Sequence, residues 1–358
     1  MIPIEYYFDD KIFVIENEKI FQSNWQPLCF KGDLPNNNDF AIFRVGGVEV
    51  VIQNFQGLIK AFSNVCPHRF SCLQSGRMGN RVLQCPYHRL QFNHFGESIN
   101  KPLGEDYPYT QLKLYEWHID VCGQLVFVSF NKPSKSLKEY LGACFVYIEN
   151  ITNSIGEEIF VEEQLIEANW KLVIQNTIEF DHAFSVHPKT FAELVQKPLE
   201  ILDLEAPSPL IHYRTRCKNL SREERFTQKI FKQFCNTTYF SDYPCYEHFY
   251  LFPLLTVGHC NGPVSFFRYT PISPSQTLLQ IRVWSPKAVV ENEDYAKLTL
   301  KLFPSIVDFI KKLSLEDKEI CEAVFRGVMS APKDMKMIFS KGDFLIEKFQ
   351  ESYLSFMK

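Results

Sequence analysis

No stretch of this 358-residue sequence stays apolar for long enough to cross a bilayer. The longest uncharged run, Phe249 to Phe267, is broken by Pro253, Gly258, Asn261, Gly262 and Pro263, so no spanning helix is expected there. The opening residues, MIPIEYYFDD, carry acids early and no basic, apolar leader, which points away from a secretory signal. Positive charge is not in excess either: 38 Lys and Arg stand against 42 Asp and Glu, a net charge of −4. A nucleic-acid binder would need a basic footprint, and an anionic membrane surface a polybasic patch. The chain has no glycine-rich GxGxxG fingerprint, so it is not built to take a hydride from a nicotinamide itself. Internal repeats and low-complexity tracts are absent. The expectation is a cytoplasmic protein without a nucleic-acid or membrane partner.

What is present is ordinary globular composition with two excesses. Hydrophobic residues make up 46% and charged residues 22%, enough for a sizeable core in two domains. Aromatics reach 15%, with 33 Phe and 16 Tyr, which suits either packing or an apolar ligand cavity. The 11 cysteines are odd in number and scattered, unlike a secreted disulfide framework. In a reducing compartment, cysteines that cluster with histidine point to metal. From Asn24 to about Asn131 short β-branched runs alternate with turns, and AIFRVGGVEVVIQN reads as a hairpin about Gly46-Gly47. From about Lys138 to Phe191 the texture is helical, with Asn169 as a cap. Strands return from about Pro209 to Trp284, with a hairpin at Asn261-Gly262. Asp294 to Met329 and Asp343 to Phe356 read as amphipathic helices.

The strongest signal is Cys66-Pro67-His68 followed, after sixteen residues, by Cys85-Pro86-Tyr87-His88. Two thiolates and two imidazoles can hold one structural zinc. They can also hold a [2Fe–2S] cluster, with both Cys on one iron and both His on the other. Zinc sites favour paired Cys and paired His, whereas here Cys and His alternate. Two such loops, facing each other, would turn the sulfurs inward and the imidazoles outward. These loops resemble those of Rieske proteins, and more narrowly the large subunit of Rieske non-haem iron oxygenases, the ring-hydroxylating family. Tyr87 stands where respiratory Rieske proteins place a disulfide cysteine, which leaves Cys72 as an expected core residue. The family usually continues His-Gly-Trp, and this chain has His88-Arg89-Leu90.

A second resemblance lies in NWKLVIQNTIEFDHAFSVHP, Asn169 to Pro188, which is similar to the family's iron-binding helix. Carried over by position it implies His182 and His187 as iron ligands, and Glu179 as the acid that links the iron site to a neighbouring subunit's cluster; Asp181 is the rival. An Fe(II) that binds O₂ wants two imidazoles, one carboxylate and open positions. Residues i and i+5 on a helix are about 140° apart, so the helix must distort or end between the two histidines, and Pro188 suits an ending. The third ligand is expected at Asp317. It falls on the stripe Leu313, Ile320, Cys321, Val324, Val328, while Glu316, Lys318, Glu319 and Glu322 are expected to point away. A carboxylate on a buried face needs a partner or a metal. His94, His118, His212, His248 and His259 are expected to be satisfied structural histidines.

The resemblance implies an α+β protein in three parts. Residues 1–24 pack on the catalytic domain, 25–135 form an all-β Rieske [2Fe–2S] domain, and 136–358 form a helix-grip-like catalytic domain with an antiparallel sheet. It also implies two cofactors, the cluster (Cys66, His68, Cys85, His88) and a mononuclear Fe(II) (His182, His187, Asp317). The implied activity is that of a terminal oxygenase, hydroxylating or oxidatively dealkylating a small organic substrate with O₂. Its electrons come from NAD(P)H through a separate reductase, with or without a ferredoxin. The implied assembly is a homotrimer or α₃β₃. The alternative is a Rieske electron-transfer or redox-sensing protein without turnover.

Overall fold

The computed structural model describes residues 1–196, 200–205, 210–290, 292–332 and 334–358. Pro209, the expected start of the second strand region, lies outside the described residues. The chain divides into two compact units, Glu16–Glu149 and Met1–Ile15 with Asn150–Lys358.

The first unit is built mainly of β-strands. Its strands are β1 (Gln26–Phe30), β2 (Asp39–Val45), β3 (Val48–Phe55), β4 (Leu58–Ser63), β5 (Met78–Asn80), β6 (His118–Cys122) and β7 (Leu125–Ser129). They form two antiparallel sheets, in the orders β4-β3-β2-β5 and β1-β7-β6. The expected β2–β3 hairpin turns at Gly46 and Gly47, both with positive φ, as a tight two-residue turn requires. Phe40, Val51, Phe62, Leu73, Leu83, Leu90 and Phe92 form a core together with Cys66 and Cys85.

The second unit holds a seven-stranded antiparallel sheet. Its strands are β8 (Ile155–Ile166), β9 (Ile201–Glu205), β10 (Leu210–Arg216), β11 (Cys245–Leu251), β12 (Leu255–His259), β13 (Val264–Ser273) and β14 (Gln276–Pro286), in the order β8-β14-β13-β12-β11-β10-β9. The helices of the chain are α1 (Asp10–Glu16), α2 (Leu137–Leu141), α3 (Cys144–Asn153), α4 (Trp170–Ile178), α5 (Phe191–Leu194), α6 (Arg222–Phe234), α7 (Glu293–Ser330) and α8 (Phe344–Met357). The α+β fold is as expected, and the Asn261-Gly262 hairpin joins β12 to β13. No helix among the described residues is long and apolar enough to cross a membrane.

Two elements differ from the sequence reading. Residues 155–166 form strand β8, not helix. Its many glutamates favour helix intrinsically, but β8 is an edge strand whose side chains pair across to β14: Arg282 with Glu158, and Gln280 with Glu163. Helix α6 interrupts the strand region, and its capping box was readable as Ser221-x-x-Glu224. The N-terminal residues of this unit are tied down. Ile2 N–H donates to Gln350 and the Gln175 amide donates to the Tyr7 hydroxyl. The fully buried Lys171 ammonium lies 5.3–5.5 Å from the rings of Tyr7, Trp170 and Tyr353, which offsets part of its desolvation cost.

Candidate metal centres

In the first unit the two Cys-Pro loops are the same turn used twice. Cys66 N–H donates to Ser71 O and Phe70 N–H to Cys66 O; Cys85 N–H donates to Leu90 O and Arg89 N–H to Cys85 O. Each turn closes on a left-handed residue four positions after its cysteine, Phe70 at φ 59° and Arg89 at φ 60°. Cys66 and Cys85 are buried in the core, and the His68 and His88 rings lie nearer the surface, 4.6 Å apart. The Nδ1 atoms of both rings are buried without a hydrogen-bond partner. Two inward sulfurs and two unpaired imidazole nitrogens suit a dinuclear iron–sulfur group with unlike ends. Burial pushes the Cys66 thiol up to about 11, with neighbouring Cys85 adding to the rise; a bound metal would deprotonate it outright. Cys72 is exposed, not core as expected, because the turn after Phe70 carries it outward.

In the second unit, Asn169 caps α4 by accepting from Lys171 N–H. The helix ends at Ile178, before both histidines, not between them: Glu179 is extended and Asp181–Phe184 is a 3₁₀ turn. That break solves the problem of facing, because neither histidine is bound to helical spacing. His182, His187 and Asp317 come together with one donor atom each inside 4.8 Å. His187 Nε2 is 3.0 Å and His182 Nε2 3.6 Å from Asp317 Oδ1. Each imidazole is gripped from behind at Nδ1 by a carboxylate, His182 by Glu179 and His187 by Glu316 at 2.8 Å. Such carboxylate–imidazole pairs fix the tautomer and aim Nε2 at a metal. Asn176 donates to Asp317 Oδ1 at 2.7 Å and Thr190 to Glu316 at 2.6 Å.

Burial alone would lower the His182 pKa, but its pairing with Asp317 and Glu179 prevails and carries it to about 9. Burial alone would raise Asp317, and the two imidazoles instead bring it to about 2. Three carboxylates, Asp317, Glu179 and Glu316, stand around the two imidazoles, an arrangement that suits a cation at the centre of the donor set.

Several expectations need correction. Glu316 does not point away; it holds His187. Val324 is exposed, and the buried face of α7 runs through Cys321, Phe325 and Val328. Asp181 is exposed, with its carboxylate against Gly342 rather than near Ile174 and Ile178. His212 is satisfied by Glu247 at 2.7 Å, but His248 and His259 retain unpaired buried nitrogens. Glu316 and Asn176 were missed, although each had a signal: a second acid beside Asp317, and an amide on the helix that leads to the histidines.

Residues 24–115 match the Rieske [2Fe-2S] domain family, and residues 146–358 match the ring hydroxylating alpha subunit (catalytic domain) family. The chain belongs to the ring-hydroxylating alpha-subunit family. That family and its Rieske domain bring a [2Fe–2S] cluster and a mononuclear iron, and the donor sets above fit both. The chain is similar to the glycine betaine monooxygenase oxygenase subunit of Chromohalobacter salexigens, 28% identical over 60% of this chain and 48% of that one. It is also similar to the 2-aminobenzenesulfonate 2,3-dioxygenase subunit alpha of Alcaligenes sp., 25% identical over 80% of this chain and 75% of that one. The matched stretch spans about half the length of the glycine betaine monooxygenase subunits. In fold the chain resembles the quaternary ammonium Rieske monooxygenase CntA, with a TM-score of 0.77 at 19% identity, covering 99% of this chain and 95% of that one. Naphthalene 1,2-dioxygenase from Rhodococcus sp. follows with a TM-score of 0.75 at 17% identity, covering 99% and 94%.

Proposed function

We propose that this chain is the terminal oxygenase component of a Rieske non-haem iron oxygenase. On this reading it hydroxylates or oxidatively dealkylates a small organic substrate with O₂. The observation that carries the reading is the pairing, in one chain, of a Cys/His loop pair with a separate two-histidine, one-carboxylate triad that borders a cavity. When bound, the cluster relays single electrons and the mononuclear iron activates O₂ at its open positions. Cys66 and Cys85 would take one iron of the cluster, and His68 and His88 the other. His182, His187 and Asp317 would hold Fe(II).

The protein's own part is orientation. Glu179 and Glu316 accept the Nδ1 hydrogens and keep both Nε2 lone pairs turned to the metal. Asn176 fixes the Asp317 carboxylate on the remaining side. Glu179 is also our choice for the residue that links His182 to a neighbouring subunit's cluster, since its carboxylate holds His182 Nδ1, whereas the Asp181 carboxylate lies against Gly342. Electrons come from NAD(P)H through a separate reductase, with or without a ferredoxin, to a trimeric enzyme in the cytoplasm. A non-catalytic electron carrier would have no use for the triad or its two supporting carboxylates. The test is purified, red-brown protein supplied with a surrogate reductase and a substrate panel, with products scored by mass under ¹⁸O₂. Label in the product is expected; reoxidation of the cluster with no labelled product from any substrate overturns the reading.

A further inference from the structure

The triad borders one part of a cavity that has two. The part at the triad measures about 80 Å³, and a chamber of about 550 Å³ lies beside it between the sheet, α6 and α7. Four side chains border both parts: Phe191, Tyr246, Phe267 and Leu313. They therefore stand where one part gives way to the other, and all four are half-buried. Two of them are indexed to the metal ligands. Leu313 lies on α7 one helical turn before Asp317, so the two share a face. Phe191 opens α5, and the N–H of the next residue, Ala192, donates to His187 O at 3.0 Å. Tyr246 and Phe267 come from the sheet, on β11 and β13.

Tyr246 owes its place to a residue with no side chain. Its ring reaches across to β12 at Gly258. A Cβ at position 258 would lie 2.6 Å from the Tyr246 hydroxyl and 3.2 Å from two of its ring carbons. Gly258 is not in the left-handed region, so glycine is required there for space and not for φ. The hydroxyl is held by His248 Nδ1 at 3.1 Å, and the ring meets Phe191 edge to face, with centroids 4.9 Å apart and planes at 81°. A side chain at position 258 would push the ring off the sheet, and the open space beside it is the cavity. Three rings and a leucine present mainly apolar surface at this point, because the one hydroxyl among them is already paired.

We propose that Phe191, Tyr246, Phe267 and Leu313 form a throat between the chamber and the metal pocket, and that Gly258 keeps it open by leaving room for the Tyr246 ring. The ligand that fits is an elongated organic molecule, with one end at the metal, a slender apolar segment in the throat and the remainder in the chamber. Tyr246 and Leu313 are then specificity-determining residues, and Gly258 is a positioning residue that acts through Tyr246. The inference rests on the oxygenase reading for the reaction at the metal end, but it concerns binding. The test titrates full-length, iron-loaded protein, without reductase or O₂, with 1-alkanols of four to ten carbons, read by ligand-observed NMR.

In the parent protein, affinity is expected to rise about fourfold with each added carbon, the value of about 0.8 kcal/mol per buried CH₂, until the cavity is filled. Gly258→Ala should end that rise about two or more carbons earlier, a loss of about tenfold or more for the longest chains, because the displaced ring shuts the throat and leaves only the chamber. Tyr246→Phe removes the atom that the new Cβ meets at 2.6 Å and leaves contacts of 3.2 Å, which a shift of a few tenths of an ångström relieves. In that background Gly258→Ala should shorten the rise by no more than about one carbon. This rescue separates a blocked throat from general damage to the fold. Should Gly258→Ala fail to load iron, Leu313→Phe takes its place by narrowing the throat from α7, with the same early end to the rise. Three results each overturn the inference: no rise with chain length in the parent, a rise of parental length in the narrowing variant, or no rescue by Tyr246→Phe. None of them touches the ¹⁸O₂ assay, so failure here and failure of the oxygenase reading are told apart.

Discussion

In the N-terminal unit all four candidate ligands come from two copies of one turn, both lying between Cys66 and Leu90. In the C-terminal unit His182 and His187 stand on a break after α4, and Asp317 arrives from α7, 130 residues after His187. The first site is written into local backbone geometry. The second exists only when α4 and α7 pack, and its donors depend on the carboxylates behind them. The first should therefore tolerate distant change and respond sharply to its ligands. The second should fail from several directions, because Asn176, Glu179 and Glu316 each hold a donor in place.

The largest expected effect separates the two sites completely. Asp317→Ala should remove the mononuclear iron and reduce turnover to background, while the red-brown absorption of the cluster stays. Iron counting should fall from about three to about two per chain, given one two-iron cluster and one single iron. A variant that keeps the third iron would show that Glu316 replaces Asp317 as ligand, and would break the contrast between donor and support.

The converse change acts on the local site. His88→Cys replaces a neutral imidazole with a thiolate and should lower the cluster potential by about 100 mV or more, since all-cysteine [2Fe–2S] centres lie well below Rieske ones. Protein-film voltammetry reads it. An unchanged potential would remove His88 from the ligand set.

An intermediate effect is expected behind the triad. Glu316→Gln and Glu179→Gln should each weaken mononuclear iron binding about 10- to 100-fold, as loss of a carboxylate behind a metal-bound imidazole does. At saturating iron, only Glu179→Gln should also slow single-turnover oxidation of the reduced cluster. Asp181→Asn should do neither, because its carboxylate lies against Gly342 rather than behind an iron-site imidazole. If Asp181→Asn slows electron transfer and Glu179→Gln does not, the assignment of the bridge is reversed.

These contrasts explain what could be read before the structure. The cluster loops were legible because ligand spacing and turn geometry lie in one short segment. Asp317 was legible because a carboxylate on an apolar stripe needs a partner. Glu316 was not, since one residue along a helix is a rotation of about 100°, and a helical wheel assigns it to another face. The wheel misses that an imidazole has two nitrogens, so Glu316 and Asp317 grip His187 from opposite edges. The end of α4 at Ile178 was also hidden, because no glycine or proline marks it.

The smallest effect tests whether the two cluster turns are equivalent. Arg89 adopts φ 60° at the position where the family usually places glycine, and Phe70 adopts φ 59° at the matching place. A left-handed conformation costs a residue with a Cβ about 1–2 kcal/mol, and glycine escapes most of it. On an ordinary surface, alanine is more favourable than glycine by about 0.4–1 kcal/mol, through the entropy of the unfolded chain. At position 89 the order should therefore reverse, with Arg89→Gly more stable than Arg89→Ala by up to about 1 kcal/mol. The same reversal is expected for Phe70→Gly against Phe70→Ala, where both variants lose the same exposed ring. Thermal loss of the visible cluster absorption, compared within each Gly/Ala pair, removes the contribution of the original side chain. A reversal at both positions supports one turn used twice; a reversal at only one would mean that the second loop owes its shape to the bound cluster rather than to its backbone.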